Sequence, residues 1–251
     1  MRWSRCWNLQ NLRTERYPAF GVTSSGKIER MGSGLHGVIF DWRGTLVVTP
    51  PEIDWCRLAL ARSGRVSDDV AAAALLTQIL EAPEVQRLWA AGVDADVAVH
   101  RDAYFQVFAD AGLDTDLAEA LYELESDAGL NPFAEDVAEA FANIKGAGFR
   151  IGVLSDIHFD IRPAFVDAGL YDFVDVFALS FERGLMKPDP AFFAECLQDL
   201  GLQAAETLMV GDRASHDGPA VELGCPVLLL PPLKTSADRR LHLVTALLTR
   251  P

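Results

Sequence analysis

The sequence predicts an α/β fold, a doubly wound parallel sheet that carries an all-helical insertion after its first strand. Three observations predict it. Gly37, Val38, Ile39 and Phe40 form a short apolar run ending at Asp41, which reads as a buried parallel strand. Residues 50–130 hold only helical patterns. From residue 132 onward strands and helices alternate, the signature of parallel strands joined by helical crossovers.

The elements follow in order. Helical patterns run over 53–63, 67–81, 83–91, 94–111 and 114–128, with Gly64, Gly92, Gly112 and Gly129 as stops. Residues 132–145 are helical, opened by Pro132 and closed by Gly146. Strands are expected at 150–154, 174–178, 207–211 and 226–230, and helices at 161–168, 190–200, 214–223 and 237–248. The aromatic set Tyr104, Phe105 and Phe108 stands at helical spacing and reads as core.

Three segments result. Residues 1–36 lack any sustained period and read as a poorly ordered tail. They are rich in Arg, but without an amphipathic stripe a targeting peptide is disfavoured. Residues 37–49 and 131–251 form the core domain, and 50–130 a helical cap. In open α/β sheets ligands gather at the carboxyl ends of the strands, so a module leaving that edge is placed to cover a site there.

Composition narrows the function. Half the residues are hydrophobic, enough for a sizeable core, yet no stretch reaches the ~20 apolar residues of a membrane helix. The tail holds six basic and two acidic residues, a net +4, so the body carries −18 of the total −14. Such a body repels phosphate backbones, which argues against nucleic acid. Cys6, Cys56, Cys196 and Cys225 are scattered without a CxxC pair, which argues against a disulfide framework and a zinc site. A cytoplasmic enzyme acting on a small molecule is the expectation; the oligomeric state stays open.

Polar residues stand at four strand ends. Asp41 ends the first strand, and Ser155 and Asp156 end the second. Lys187 lies in the loop after the third, and Asp212 and Asp217 follow the fourth. A parallel sheet brings all of them to one edge. A carboxylate there can attack an electrophile and form an acyl intermediate. A lysine can neutralise charge on the transferring group. Paired carboxylates offer hard oxygens to Mg²⁺. His158 and His216 lie nearby and read as surface or packing histidines; Trp42 could pack under the cap or face a substrate.

The ordered motifs resemble those of the haloacid dehalogenase-like superfamily. They stand as Phe40, Asp41, Trp42, Arg43, Gly44, Thr45, Leu46; then Leu154, Ser155, Asp156; then Lys187, Pro188; then Gly211, Asp212 through Asp217. The resemblance runs from residue 37 to about 230 and implies a hydrolase with Asp41 as covalent nucleophile. It implies catalytic roles for Lys187 and Ser155, and substrate contacts from Thr45, Arg43 and Asp156. It also implies Mg²⁺ held by Asp41, Asp212, Asp217 and the backbone carbonyl of Arg43.

One position departs from the pattern. Phosphatases of the superfamily carry a second Asp two residues after the nucleophile, as acid and then base. Here that residue is Arg43, which stays protonated and can do neither. Three readings stay open. The first is a Mg²⁺-dependent phosphatase of a small phosphorylated metabolite, with an altered acid/base. The second is a 2-haloacid dehalogenase or phosphonate-cleaving hydrolase, with Arg43 as a fork for a substrate carboxylate. The third is a non-catalytic binding protein. The metal-binding form of the last motif ranks the phosphatase first.

Overall fold

The computed structural model describes residues 34–249. Most of the expected N-terminal tail lies outside the described residues. At its end His36 donates its N–H to the Glu206 carbonyl and accepts from Arg150 N, so it already belongs to the sheet margin.

Five strands form one parallel sheet: β1 (Gly37–Phe40), β2 (Arg150–Ser155), β3 (Val176–Leu179), β4 (Thr207–Gly211) and β5 (Val227–Leu229). Their order is β3-β2-β1-β4-β5, so β1 lies at the centre. Gly37 pairs with Arg150 on one side and Thr207 on the other, and Phe40 with Val153 and Val210. All strand ends therefore face one way, and the residues after β1, β2 and β4 meet at one edge.

Alternation along β1 divides the core. Val38 and Phe40 pack on one face with α5 (Val137–Gly146), α6 (Arg162–Asp167) and α9 (His242–Thr249). Ile39 points to the other face, among Phe192, Phe193, Cys196 and Leu200 of α8 (Pro190–Leu200). A parallel strand buried on both faces must be apolar throughout, which is why this run does not alternate. The short α7 (Ser180–Arg183) directly follows β3.

Between β1 and α5 the chain builds α1 (Glu52–Arg62), α2 (Asp69–Leu80), α3 (Val97–Asp110) and α4 (Thr115–Glu125). They enclose a hydrophobic cluster of their own around Cys56, Leu75, Ile79, Phe108 and Leu121. Phe108 is fully buried there, and Tyr104 and Phe105 pack against it. Asp68, Asp96 and Asp114 cap α2, α3 and α4, each accepting from amides of the first turn. Among the described residues no helix is long and apolar enough to cross a membrane.

Three expected helices start late or condense to 3₁₀ turns. The helix anticipated from residue 132 begins at Val137, because Val47 and Phe133 form an antiparallel bridge. Val48 N donates to Pro132 O and Ala134 N to Leu46 O, so the outgoing and returning chains zip together first. The helix anticipated over 214–223 is a 3₁₀ turn at Gly218–Leu223. Residues 213–217 close a turn in which Asp217 N donates to Arg213 O. The pattern at 83–91 also condenses to a 3₁₀ turn, Val85–Trp89.

Candidate active site

Asp41 follows the last residue of β1 and is buried. Its Oδ1 lies 2.5 Å from Lys187 Nζ, and its Oδ2 accepts from Thr45 Oγ1 at 3.3 Å. Lys187 Nζ also donates to Asp217 Oδ1 at 2.8 Å. These three side chains are among the least exposed polar groups of the molecule. Burial opposes the lysine charge, yet the carboxylates of Asp41, Asp217 and Asp156 outweigh it and hold the ammonium above its usual pKa. The Asp217 carboxyl is pulled below its usual range, where the lysine overcomes burial.

Glycines make this closeness possible. Gly44 has φ +79°, and a Cβ there would lie 2.5 Å from Asp212 Oδ2. A Cβ on Gly211 would overlap the Asp217 carboxylate. The two positions let the loops after β1 and β4 press their carboxylates together.

Asp41, Asp212 and Asp217 each bring a carboxylate oxygen within 4.8 Å of the others. Asp212 Oδ1 is buried with no hydrogen-bond partner among the described residues. Burial and the nearby Asp41 charge push its carboxyl up to about 7. An orphaned oxygen in a crowd of carboxylates fits a cation site, since a cation would supply the partner and relieve the repulsion. Asp217 shares the cluster, but both its oxygens are engaged: Oδ1 by Lys187, Oδ2 by the amides of Asp212 (3.1 Å) and Arg213 (2.9 Å). It therefore backs the site and orients the lysine.

Other expected residues take different places. Ser155 is the buried last residue of β2, at the same edge. Asp156, expected to touch substrate, accepts the backbone N–H of Lys187 on Oδ1 at 2.8 Å. It fixes the lysine loop, and burial pushes its carboxyl up to about 6. The fork of Arg43, which the dehalogenase reading offers to a substrate carboxylate, binds within the protein instead. Nη1 donates to Glu125 Oε1 at 2.8 Å, Nη2 to the Glu125 carbonyl, and Nε to Asn131 Oδ1. The guanidinium also lies over the rings of Trp42 and Phe159. Trp42 itself is fully buried, edge-on to Phe159. His216 is half-buried beside Ser215 Oγ, and burial lowers its imidazole to about 4.

Glu125, Asn131, Asp94, His100 and Tyr122 escape sequence reasoning. They join the region only through tertiary contacts, and no local spacing marks them. His158 is packed as expected, but against another histidine: its ring stacks on His100 at 3.4 Å between centroids.

Comparison with known proteins follows the same lines. A family model described as haloacid dehalogenase-like hydrolase matches residues 35–223. A glyceraldehyde 3-phosphate phosphatase of Methanocaldococcus jannaschii is 35% identical over 97 residues, 38% of this chain and 42% of its own length. The chain thus spans less than half the length of that curated relative. A crystal structure of a HAD phosphatase from Thermococcus onnurineus superposes with a TM-score of 0.57 at 20% identity, over 86% of this chain and 98% of its own, which speaks for the fold alone. A 2-haloacid dehalogenase from Pseudomonas syringae gives 0.54 at 25% identity, over 78% of this chain and 86% of its own.

Proposed function

Because the chain belongs to the haloacid dehalogenase-like hydrolases, we propose that it is a Mg²⁺-dependent phosphatase of a small phosphorylated metabolite, working through an aspartyl-phosphate on Asp41. The observation that carries this reading is the buried set Asp41, Lys187 and Asp217 beside the orphaned oxygen of Asp212. The partial likeness to glyceraldehyde 3-phosphate phosphatases points the same way.

The Asp41 carboxylate attacks phosphorus, an O–P bond forms, and the bond to the ester oxygen breaks. Thr45 and Lys187 hold the carboxylate for the attack. Lys187 then faces the charge spread over the transferring group, and Ser155 offers a hydroxyl to its oxygens. Asp41 and Asp212, with the Arg43 carbonyl and with Asp217 behind them, would hold Mg²⁺, which when bound neutralises phosphate charge. Water hydrolyses the aspartyl-phosphate and regenerates Asp41. Since Arg43 cannot protonate a leaving alkoxide, good leaving groups are favoured. Residues 50–130 act as a cap that excludes water from the first step.

Phosphate release from an aryl and an alkyl phosphate, with Mg²⁺ and with chelator, tests the reading. Wild type is expected to release phosphate only with Mg²⁺, faster from the aryl ester, and Asp41→Asn to lose the activity. A metal-independent rate, or release surviving in Asp41→Asn, overturns it. A second reading, dehalogenation of a 2-haloacid, draws on the absence of an acid at position 43, which a halide leaving group does not need, and on the likeness to the Pseudomonas syringae enzyme. Halide release without metal would favour it.

A further inference from the structure

Arg213 stands at the sheet edge without a task in the mechanism above. It follows Asp212 directly after β4, and its backbone is pinned. Its N–H donates to Asp217 Oδ2 at 2.9 Å, and its carbonyl accepts from His216 N and Asp217 N. From this fixed base the side chain reaches toward Asp156, which follows β2. Arg213 Nη2 lies 3.6 Å from Asp156 Oδ2. In the sheet, β2 and β4 flank β1 on opposite sides. An arginine from the end of β4 that approaches a carboxylate at the end of β2 therefore crosses the end of β1, where Asp41 stands. The charges agree with this course. Partial desolvation opposes the guanidinium, but Asp41 first, then Asp156, Asp217 and Asp212, hold its pKa above the usual value.

The guanidinium is not spent on these neighbours. The approach to Asp156 is too long for a hydrogen bond, and Asp156 Oδ2 has no hydrogen-bond partner among the described residues. The Arg213 side chain stays 45% exposed. Arg43 is the contrast, since all three of its guanidinium nitrogens are committed to Glu125 and Asn131. Arginine presents its donors as a planar fork that fits two oxygens of one phosphoryl group. A fork left open beside a nucleophile is placed for the group that the nucleophile attacks.

We propose that Arg213 is a phosphate-binding residue of this site, and that its fork takes two oxygens of the transferring phosphoryl group. The inference rests on the phosphatase reading and adds to it a residue that the motifs leave without a role. Lys187 is tied to Asp41 and Asp217 and offers the phosphoryl group a point charge. Arg213 adds a two-pronged grip, and Asp156 keeps the arginine near the site without binding it. The grip acts on the ester and on the product phosphate alike, so it governs affinity more than the chemical step.

Titration calorimetry of the Mg²⁺-saturated full chain with inorganic phosphate, beside aryl phosphate kinetics, tests the proposal. Wild type should bind phosphate, and Arg213→Ala should bind it about 10- to 100-fold more weakly. KM for the aryl ester should rise by a similar factor, with a smaller change in kcat. Arg213→Lys should keep only part of the affinity, because an ammonium has the charge without the fork. Guanidinium ion at low concentration should restore part of it to Arg213→Ala, which a purely structural role would not produce. Urea midpoints of both variants should stay close to wild type, since the side chain is exposed. Phosphate bound as tightly by Arg213→Ala as by wild type overturns the proposal while the phosphatase reading stands. So does a loss confined to kcat, which would place the arginine behind Asp156 and the lysine loop. A wild type that neither binds nor releases phosphate overturns both.

Discussion

At the scale of single residues, Arg43 departs from the pattern that the family resemblance implies. Its guanidinium is committed to Glu125 and Asn131, so it acts as a fastener between the loop after β1 and the end of α4. The pair is partly exposed, about a quarter for each side chain, so its coupling is worth about 1 kcal/mol rather than the larger value of a fully buried pair. The partner also constrains any attempt to restore an acid. Arg43→Asp alone sets a carboxylate against Glu125. It should lose about 1–3 kcal/mol of stability through the lost bonds and like-charge repulsion. Adding Glu125→Gln removes the repulsion. Urea denaturation should show the double variant more stable than Arg43→Asp. Alkyl phosphate turnover should rise in the double variant above wild type and above either single change. If Glu125→Gln brings no recovery of stability, the two side chains do not face each other as the geometry requires.

At the scale of elements, the carboxyl ends of β1 and β4 are held together by backbone freedom as much as by charge. Gly44 occupies the left-handed region, where a side chain is strained by about 1–2 kcal/mol, and its missing Cβ is the space taken by the Asp212 carboxylate. Gly44→Ala should therefore cost about 2–4 kcal/mol in urea denaturation. It should also lower phosphate release more than 10-fold, because Asp212 must move. A stable Gly44→Ala protein with wild-type turnover would show that Asp212 does not need its place. This joint is legible in the sequence: a strand, a carboxylate at its end and a glycine three residues on are all local. Lys187 and Asp217 are legible for the same reason, since a parallel sheet brings its strand ends to one edge. Glu125 is not. It stands 82 residues from Arg43, and only the packing of α4 over the loop gives the arginine its partner. The stacked histidines are hidden likewise, because one lies on α3 and the other after β2. The late start of α5 has a comparable cause: the bridge between Val47 and Phe133 is tertiary, and helical periodicity carries no trace of it.

At the scale of the whole molecule, the two apolar bodies bury three free thiols, and burial gives the protein an alkaline limit. Cys56 lies in the cluster of the insertion, and Cys196 and Cys225 lie on one face of the sheet. Desolvation pushes their thiols from an ordinary 9.0 up to about 12, about 12 and about 11. Between pH 9 and 11 the folded chain keeps protons that the unfolded chain has released. Stability is thus fully present below pH 9 and falls as pH rises, by up to about 1.4 kcal/mol per pH unit for each thiol. Lys187 acts in the same direction above its usual value, because its folded pKa is also raised. Urea midpoints at pH 8, 9 and 10 should therefore fall steeply in wild type. Cys56→Ala and Cys196→Ala each add a cavity cost that is the same at every pH, so the slope, not the midpoint, carries the signal. Each variant should flatten the slope by roughly one proton's worth. Native Cys196 should also resist a thiol reagent at pH 8 and react once urea is added. A slope that Cys196→Ala leaves unchanged would place the alkaline limit elsewhere, with the ion pairs around Lys187 as the next candidate.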